Sequence, residues 1–108
     1  MFRIENDKIY LTRGDSAGFD VSIYNGTTPY TLQEGDILTF TVRQNLYSAK
    51  VIEKTGTTIH FDLEPADTKD LQFGDYLYDI QLTFANGEIN TIIPPSLFQL
   101  MGEVTYGV

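Results

Sequence analysis

The sequence predicts an all-β chain folded as an antiparallel β-sandwich, and three observations predict it. Short stretches of period-2 alternation recur along the chain, turn signals built on Gly, Asn and Asp separate them roughly every 8 to 12 residues, and no stretch sustains a long helical period. Seven to eight short strands and one helical turn near residues 65–71 account for the 108 residues, a length suited to a single domain spanning 1–108.

The first strand is Ile9-Tyr10-Leu11-Thr12, and Arg13-Gly14-Asp15-Ser16 turns the chain after it. Phe19, Val21 and Ile23 alternate with Asp20, Ser22 and Tyr24 in a second strand that stops at Asn25-Gly26. A polar loop over residues 27–36 ends in the Gly35-Asp36 turn. Leu38, Phe40 and Val42 then alternate with Thr39, Thr41 and Arg43 in a strand of high β propensity, which Asn45 to Ser48 breaks. Ala49 to Thr55 is expected at a sheet edge, because its two lysines discourage pairing between molecules. Ile59, Phe61 and Leu63 form the inward side of the next strand, with Thr58, His60 and Asp62 outward. Pro65 to Leu71 begins with proline and acids and is too short for an independent helix, so it reads as one helical turn crossing between sheets.

The strongest signal is Gly74 to Ile93, one long hairpin. Tyr76, Tyr78, Ile80, Leu82 and Phe84 share one face of its first strand and are expected in the core. Asn86-Gly87 suits a type I′ turn, which would pair Phe84 with Ile89, Leu82 with Thr91 and Ile80 with Ile93, leaving Ile89 and Ile93 on the core face. Pro94-Pro95 removes two backbone donors and is expected to end the hairpin's hydrogen bonding, at a strand end or sheet edge. Residues 96–104 carry both a helical spacing, at Leu97, Leu100, Met101 and Val104, and a strand pattern with a bulge at Gly102; strand is the preferred reading. As a strand it buries Phe98 and Leu100 and turns Leu97 and Met101 outward, beside what is expected to be an open edge. Leu97, Met101, Val104 and Tyr106 are therefore the candidate interaction residues.

Gly74-Asp75-Tyr76 resembles a tyrosine corner of the immunoglobulin fold, in which the tyrosine hydroxyl bonds backbone upstream. The sandwich is thus expected to be immunoglobulin-like.

Chemistry is nearly absent from the sequence. A net charge of −8 and a pI near 4.3 oppose binding to nucleic acid or to an anionic membrane, since both need a basic face. No apolar run is long enough to cross a bilayer, and Arg3, Glu5, Asp7, Lys8, Arg13 and Asp15 leave no room for a signal-peptide core. With no cysteine there is no thiol chemistry and no disulfide, which agrees with folding in a cytoplasm. His60 is the only histidine, so a multi-histidine metal site is excluded and no Ser-His-Asp set is evident. The acids Asp62, Glu64, Asp67, Asp70, Asp75 and Asp79 surround the crossing loop without the spacing of a calcium loop. No phosphate-binding glycine motif occurs. The expectation is a protein that is not an enzyme and carries no cofactor or metal. Arg13-Gly14-Asp15 is also an integrin-recognition tripeptide, which keeps a ligand-binding module, for carbohydrate or an adhesion receptor, as the alternative. The lack of Trp weakens the carbohydrate version.

Five stretches taken together resemble tail-associated proteins of phages and prophages of Gram-positive bacteria, and in particular the immunoglobulin-like N-terminal domain of the phage baseplate upper protein. They are Ile9 to Asp15, Leu32 to Val42, Pro65 to Thr68, Gly74 to Leu82 and Ile93 to Ser96. The resemblance covers most of the chain and falls chiefly on turn and core positions. It implies a structural or assembly protein of the virion tail or baseplate, assembled in the host cytoplasm, whose partners are other tail proteins or further copies of itself. It carries no catalytic residue across. Baseplate upper proteins continue into a coiled-coil stalk, whereas the present sequence ends at Val108, so no receptor-binding module is carried over.

Overall fold

The alternating stretches assemble into one six-stranded sheet with a smaller ribbon packed across it; the computed structural model describes residues 2–103. In chain order the elements are β1 (Phe2–Glu5), β2 (Lys8–Thr12), β3 (Ala17–Asp20), β4 (Tyr24–Asn25), β5 (Thr28–Pro29), β6 (Ile37–Arg43), β7 (Lys50–Gly56), β8 (His60–Leu63), α1 (Pro65–Thr68), β9 (Gly74–Thr83) and β10 (Ile89–Met101). The large sheet runs β1-β2-β10-β9-β6-β7, while β3 pairs with β8 and β4 with β5. An all-β fold is therefore observed, but it is not antiparallel throughout. β2 and β10 run parallel, with Ile9 opposite Phe98 and Leu11 opposite Leu100, because the first and last core strands meet across the whole intervening chain.

The inner face of the large sheet packs against the β3–β8 ribbon around Phe40. Its ring lies 5.6 Å from Phe19, 5.8 Å from Phe61, 5.5 Å from Tyr78 and 6.3 Å from Phe98, spacings at which aromatic pairs attract beyond their buried area. β9 delivers Tyr76, Tyr78, Ile80 and Leu82 to this core as its alternation predicts, and Phe84 packs at the margin. The Tyr76 hydroxyl donates to the Gln72 carbonyl at 2.6 Å, the upstream bond expected of a tyrosine corner. The Tyr78 hydroxyl donates to the Asp7 carbonyl, tying the centre of β9 to the first hairpin. β7 lies at the sheet's edge as its lysines indicate.

Several expectations are corrected. The hairpin tip is not a type I′ turn: of its two residues only Gly87 has positive φ, at 92°, and Phe84 N–H bonds Glu88 O across a three-residue loop. The added residue shifts the register, so that Thr83 faces Ile89 and Gln81 faces Thr91, and Ile89 is 60% exposed rather than in the core. Ile93 does face Ile80, because irregularities between Thr91 and Ser96 restore the pairing. Pro94 and Pro95 occupy the second of them, and the ladder resumes at Ser96 opposite Tyr78. Two missing donors are thus absorbed by a bulge and do not end the strand.

A strand absent from the sequence reading, β1, turns into β2 through Asn6 and Asp7, whose φ values of 51° and 65° make this the two-residue hairpin with positive φ at both positions. The strand of Phe19 and Val21 ends at Asp20, although Val21 and Ile23 remain buried. Ile59 precedes β8 and is 41% exposed, since the ladder starts only at His60. The crossing segment is one helical turn, as expected, and fully buried Thr68 accepts a hydrogen bond from Gly14 N–H at 2.8 Å.

Candidate functional site

The outer face of the large sheet is where strand alternation leaves apolar groups without a covering layer. On β10, Phe98 and Leu100 enter the core while Leu97 and Met101 face outward and are half-buried, as the strand reading requires. Their surroundings differ from expectation in part, because over Phe98–Met101 β10 lies between β2 and β9 and has no open edge, whereas Leu97 is paired on the β9 side alone. Val104 and Tyr106 lie outside the described residues. Leu97 stands opposite Leu77, and Leu77 opposite Arg43, so one row crosses three strands.

Beside that row the β6–β7 loop is built rigidly. Asn45 Oδ1 accepts from Tyr47 N–H at 3.0 Å, Ser48 Oγ accepts from Asn45 N–H at 3.0 Å, and the Arg43 guanidinium donates to Ser48 O at 2.6 Å. These bonds hold Leu46 at 60% exposure and Tyr47 at 95%, both facing solvent. Between loop and sheet lies a depression of about 130 Å³, walled by Leu46, Leu77 and Pro95 and floored by Thr41, Arg43 and Asp79. Burial raises the Asp79 pKa above the usual carboxylate range, and Arg43 opposes the rise. An acid and a base, Asp79 and Arg43, beside the apolar Leu46, Leu77 and Pro95 can meet a polar group of either sign on a partner surface. Sequence reasoning treated residues 45–48 only as a strand break. The available signal was an apolar pair, Leu46-Tyr47, held between two turn-forming side chains.

The other candidate features are engaged elsewhere. Arg13 donates to Glu103 at 2.9 Å and to Leu71 O at 3.0 Å and lies 5.4 Å from the Phe73 ring, so the guanidinium of Arg13-Gly14-Asp15 is packed against its own protein. Glu103 is held below its ordinary pKa chiefly by that Arg13 bond. Among the acids near the crossing loop, Asp67 pairs with Lys54 at 2.9 Å, Asp62 with His60 at 2.9 Å, and Asp75 accepts from Gln99 at 3.0 Å. Among the described residues no group of three or more acid or histidine side chains is placed to hold a metal ion, and no helix is long and apolar enough to cross a membrane.

Comparison with family models, curated proteins and solved structures finds no match for this chain.

Proposed function

We propose that the protein is a non-enzymatic structural or assembly module of a phage or prophage tail or baseplate, with an immunoglobulin-like sandwich as its scaffold. The tail context comes from the five stretches that resemble baseplate upper protein. The binding role has one carrying observation: Tyr47 stands 95% exposed on a loop whose hydrogen bonds fix it in place, next to the depression under Leu46, Leu77 and Pro95. Because the loop backbone is already ordered, contact would cost the rotamer freedom of the Tyr47 side chain but little loop ordering, which suits an interface anchor. Leu97 extends this surface along the sheet.

The test is incorporation into particles. Particles purified from an induced lysogen carrying the gene are expected to contain the protein. The double variant Leu46→Asp/Tyr47→Ala is expected to melt like wild type yet to be depleted from particles at least tenfold, the equivalent of about 1.4 kcal/mol. Purified particles that lack the wild-type protein sink the tail reading, and undiminished incorporation of a folded double variant sinks this surface.

A further inference from the structure

The large sheet has two edges, and the chain treats them oppositely. At β7, Lys54 lies opposite Phe40 and so points to the inner face, where it meets Asp67 of α1 at 2.9 Å. An inward charge at an edge, covered by a helical turn, blocks the approach of another strand. β1 has no such guard. Its inward residues are Phe2, stacked 5.9 Å from Phe19, and Ile4, which remains 42% exposed. Its outward residues are Arg3 and Glu5, of opposite charge, 3.6 Å apart, with side chains 52% and 63% exposed. Among the described residues no strand pairs with the free side of β1.

We propose that two copies of this chain pair through β1, antiparallel about a twofold axis at Ile4. This goes beyond the tail reading and does not depend on it. The two-residue turn makes Glu5 and Lys8 a hydrogen-bonded pair and, by alternation, Arg3 and Tyr10 another, so the N–H and C=O of Ile4 point to the free edge. In a continuous sheet facing residues must share a side, which permits registers two residues apart. Placing Ile4 opposite Ile4 lets the free backbone groups exchange two hydrogen bonds. It also sets Arg3 of each copy against Glu5 of the other, in the non-hydrogen-bonded position where side chains are closest. The neighbouring registers set Arg3 against Arg3 or Glu5 against Glu5, and like charges directly opposite are unfavourable. The strand Phe2-Arg3-Ile4-Glu5 is thus complementary to itself in one register alone. Beneath it Ile4 borders a cleft of about 260 Å³ whose wall mixes the polar Asp7, Asp20 and Ser22 with Phe19, Val21 and Ile92, so the pairing rests on the strand's backbone and charges and not on apolar burial. One four-residue strand per copy is less than a permanent dimer interface, so the pairing belongs to high concentration or to copies already held together in an assembly.

Sedimentation equilibrium of the full chain from micromolar to millimolar concentration tests this. The wild-type mass is expected to rise towards that of two chains. Arg3→Glu and Glu5→Arg, each alone, create like-charge contacts at both positions and are expected to stay monomeric. Mixed together they are expected to associate, because every contact between them is again of opposite charge, and the double variant Arg3→Glu/Glu5→Arg is expected to recover self-association. Association in the mixture also shows that both variants are folded. A wild type that stays monomeric throughout overturns the proposal. So does self-association of either single variant at wild-type strength, or failure of the mixture and the double variant to associate.

Discussion

His60 sits on the outer side of the β3–β8 ribbon between two carboxylates, its Nδ1 2.7 Å from Asp20 and its Nε2 2.9 Å from Asp62. Gly18 supplies the room: a Cβ there would stand 3.0 Å from Asp62 Oδ1 and 3.2 Å from His60 Cε1. Only the protonated ring can donate to both acids, and its pKa is raised, first by the Asp20 bond and then by that of Asp62. A histidine raised above its unfolded value stabilises fully below that value, about 6.5, and the contribution is lost as pH rises through the folded value. The melting difference between wild type and His60→Gln is therefore expected to be larger near pH 6 than near pH 9; a difference that does not change with pH sinks this account. Asp79 has the same sign for another reason. Its pKa is raised mainly by burial, so its charged form costs stability at neutral pH, and the favourable contribution exists only under acid conditions. Asp79→Asn is expected to raise Tm at pH 7, with the gain shrinking towards about pH 4. An equal or lower Tm at neutral pH would show that the Arg43 attraction outweighs the burial.

At the scale of elements, the loop before β6 and the tip of the β9–β10 hairpin lock together at Gly35. Asp36 accepts from the Tyr30 hydroxyl at 2.5 Å and from Gln33 N–H at 2.8 Å, closing the turn. Gly35 has φ 89°, and a Cβ there would meet the Ala85 Cβ at 2.7 Å. Gly87 has φ 92° with nothing within 4 Å. Gly87→Ala should then lose only the left-handed backbone term, about 1–2 kcal/mol, whereas Gly35→Ala adds displacement of the hairpin tip. Urea melts are expected to rank Gly35→Ala clearly below Gly87→Ala, and equal losses would remove the contact from the explanation. Sequence patterning reached β2, β6 and β9 because each carries alternate apolar residues towards one core face, and it placed β7 at an edge through its lysines. β1 escaped because four residues with an Asn6-Asp7 turn lack the glycine that advertises a hairpin. The proline bulge and the parallel β2–β10 pair escaped for a different reason: both are set by distant partners, and no local pattern encodes those. The Tyr47 loop was visible as punctuation, but exposure of its aromatic depends on bonds from Asn45 and Ser48 that become evident only in three dimensions.

For the whole molecule, joining the two ends of the chain has a kinetic consequence. β9 and β10 meet across a three-residue loop, and β6 pairs with β9 after the β7–β8 excursion, whereas Ile9 and Leu11 must find Phe98 and Leu100 at the opposite end of the sequence. Closing the longest loop costs the most chain entropy and is rewarded only when its partners are already in place. Docking of β2 onto β10 is thus expected late, after β6, β9 and β10 have gathered around Phe40, and the predominance of such distant pairings puts refolding in the range of about milliseconds to seconds. Leu11 and Leu82, at 0% and 2% exposure, allow a matched comparison. Each substitution to Ala is expected to cost about 2–5 kcal/mol at equilibrium. In stopped-flow chevrons Leu11→Ala should appear chiefly as faster unfolding, because its contacts are absent from the transition state, and Leu82→Ala chiefly as slower refolding. If Leu11→Ala slows refolding as much as Leu82→Ala does, β2 is already docked at the barrier, and the first strand helps to nucleate the fold.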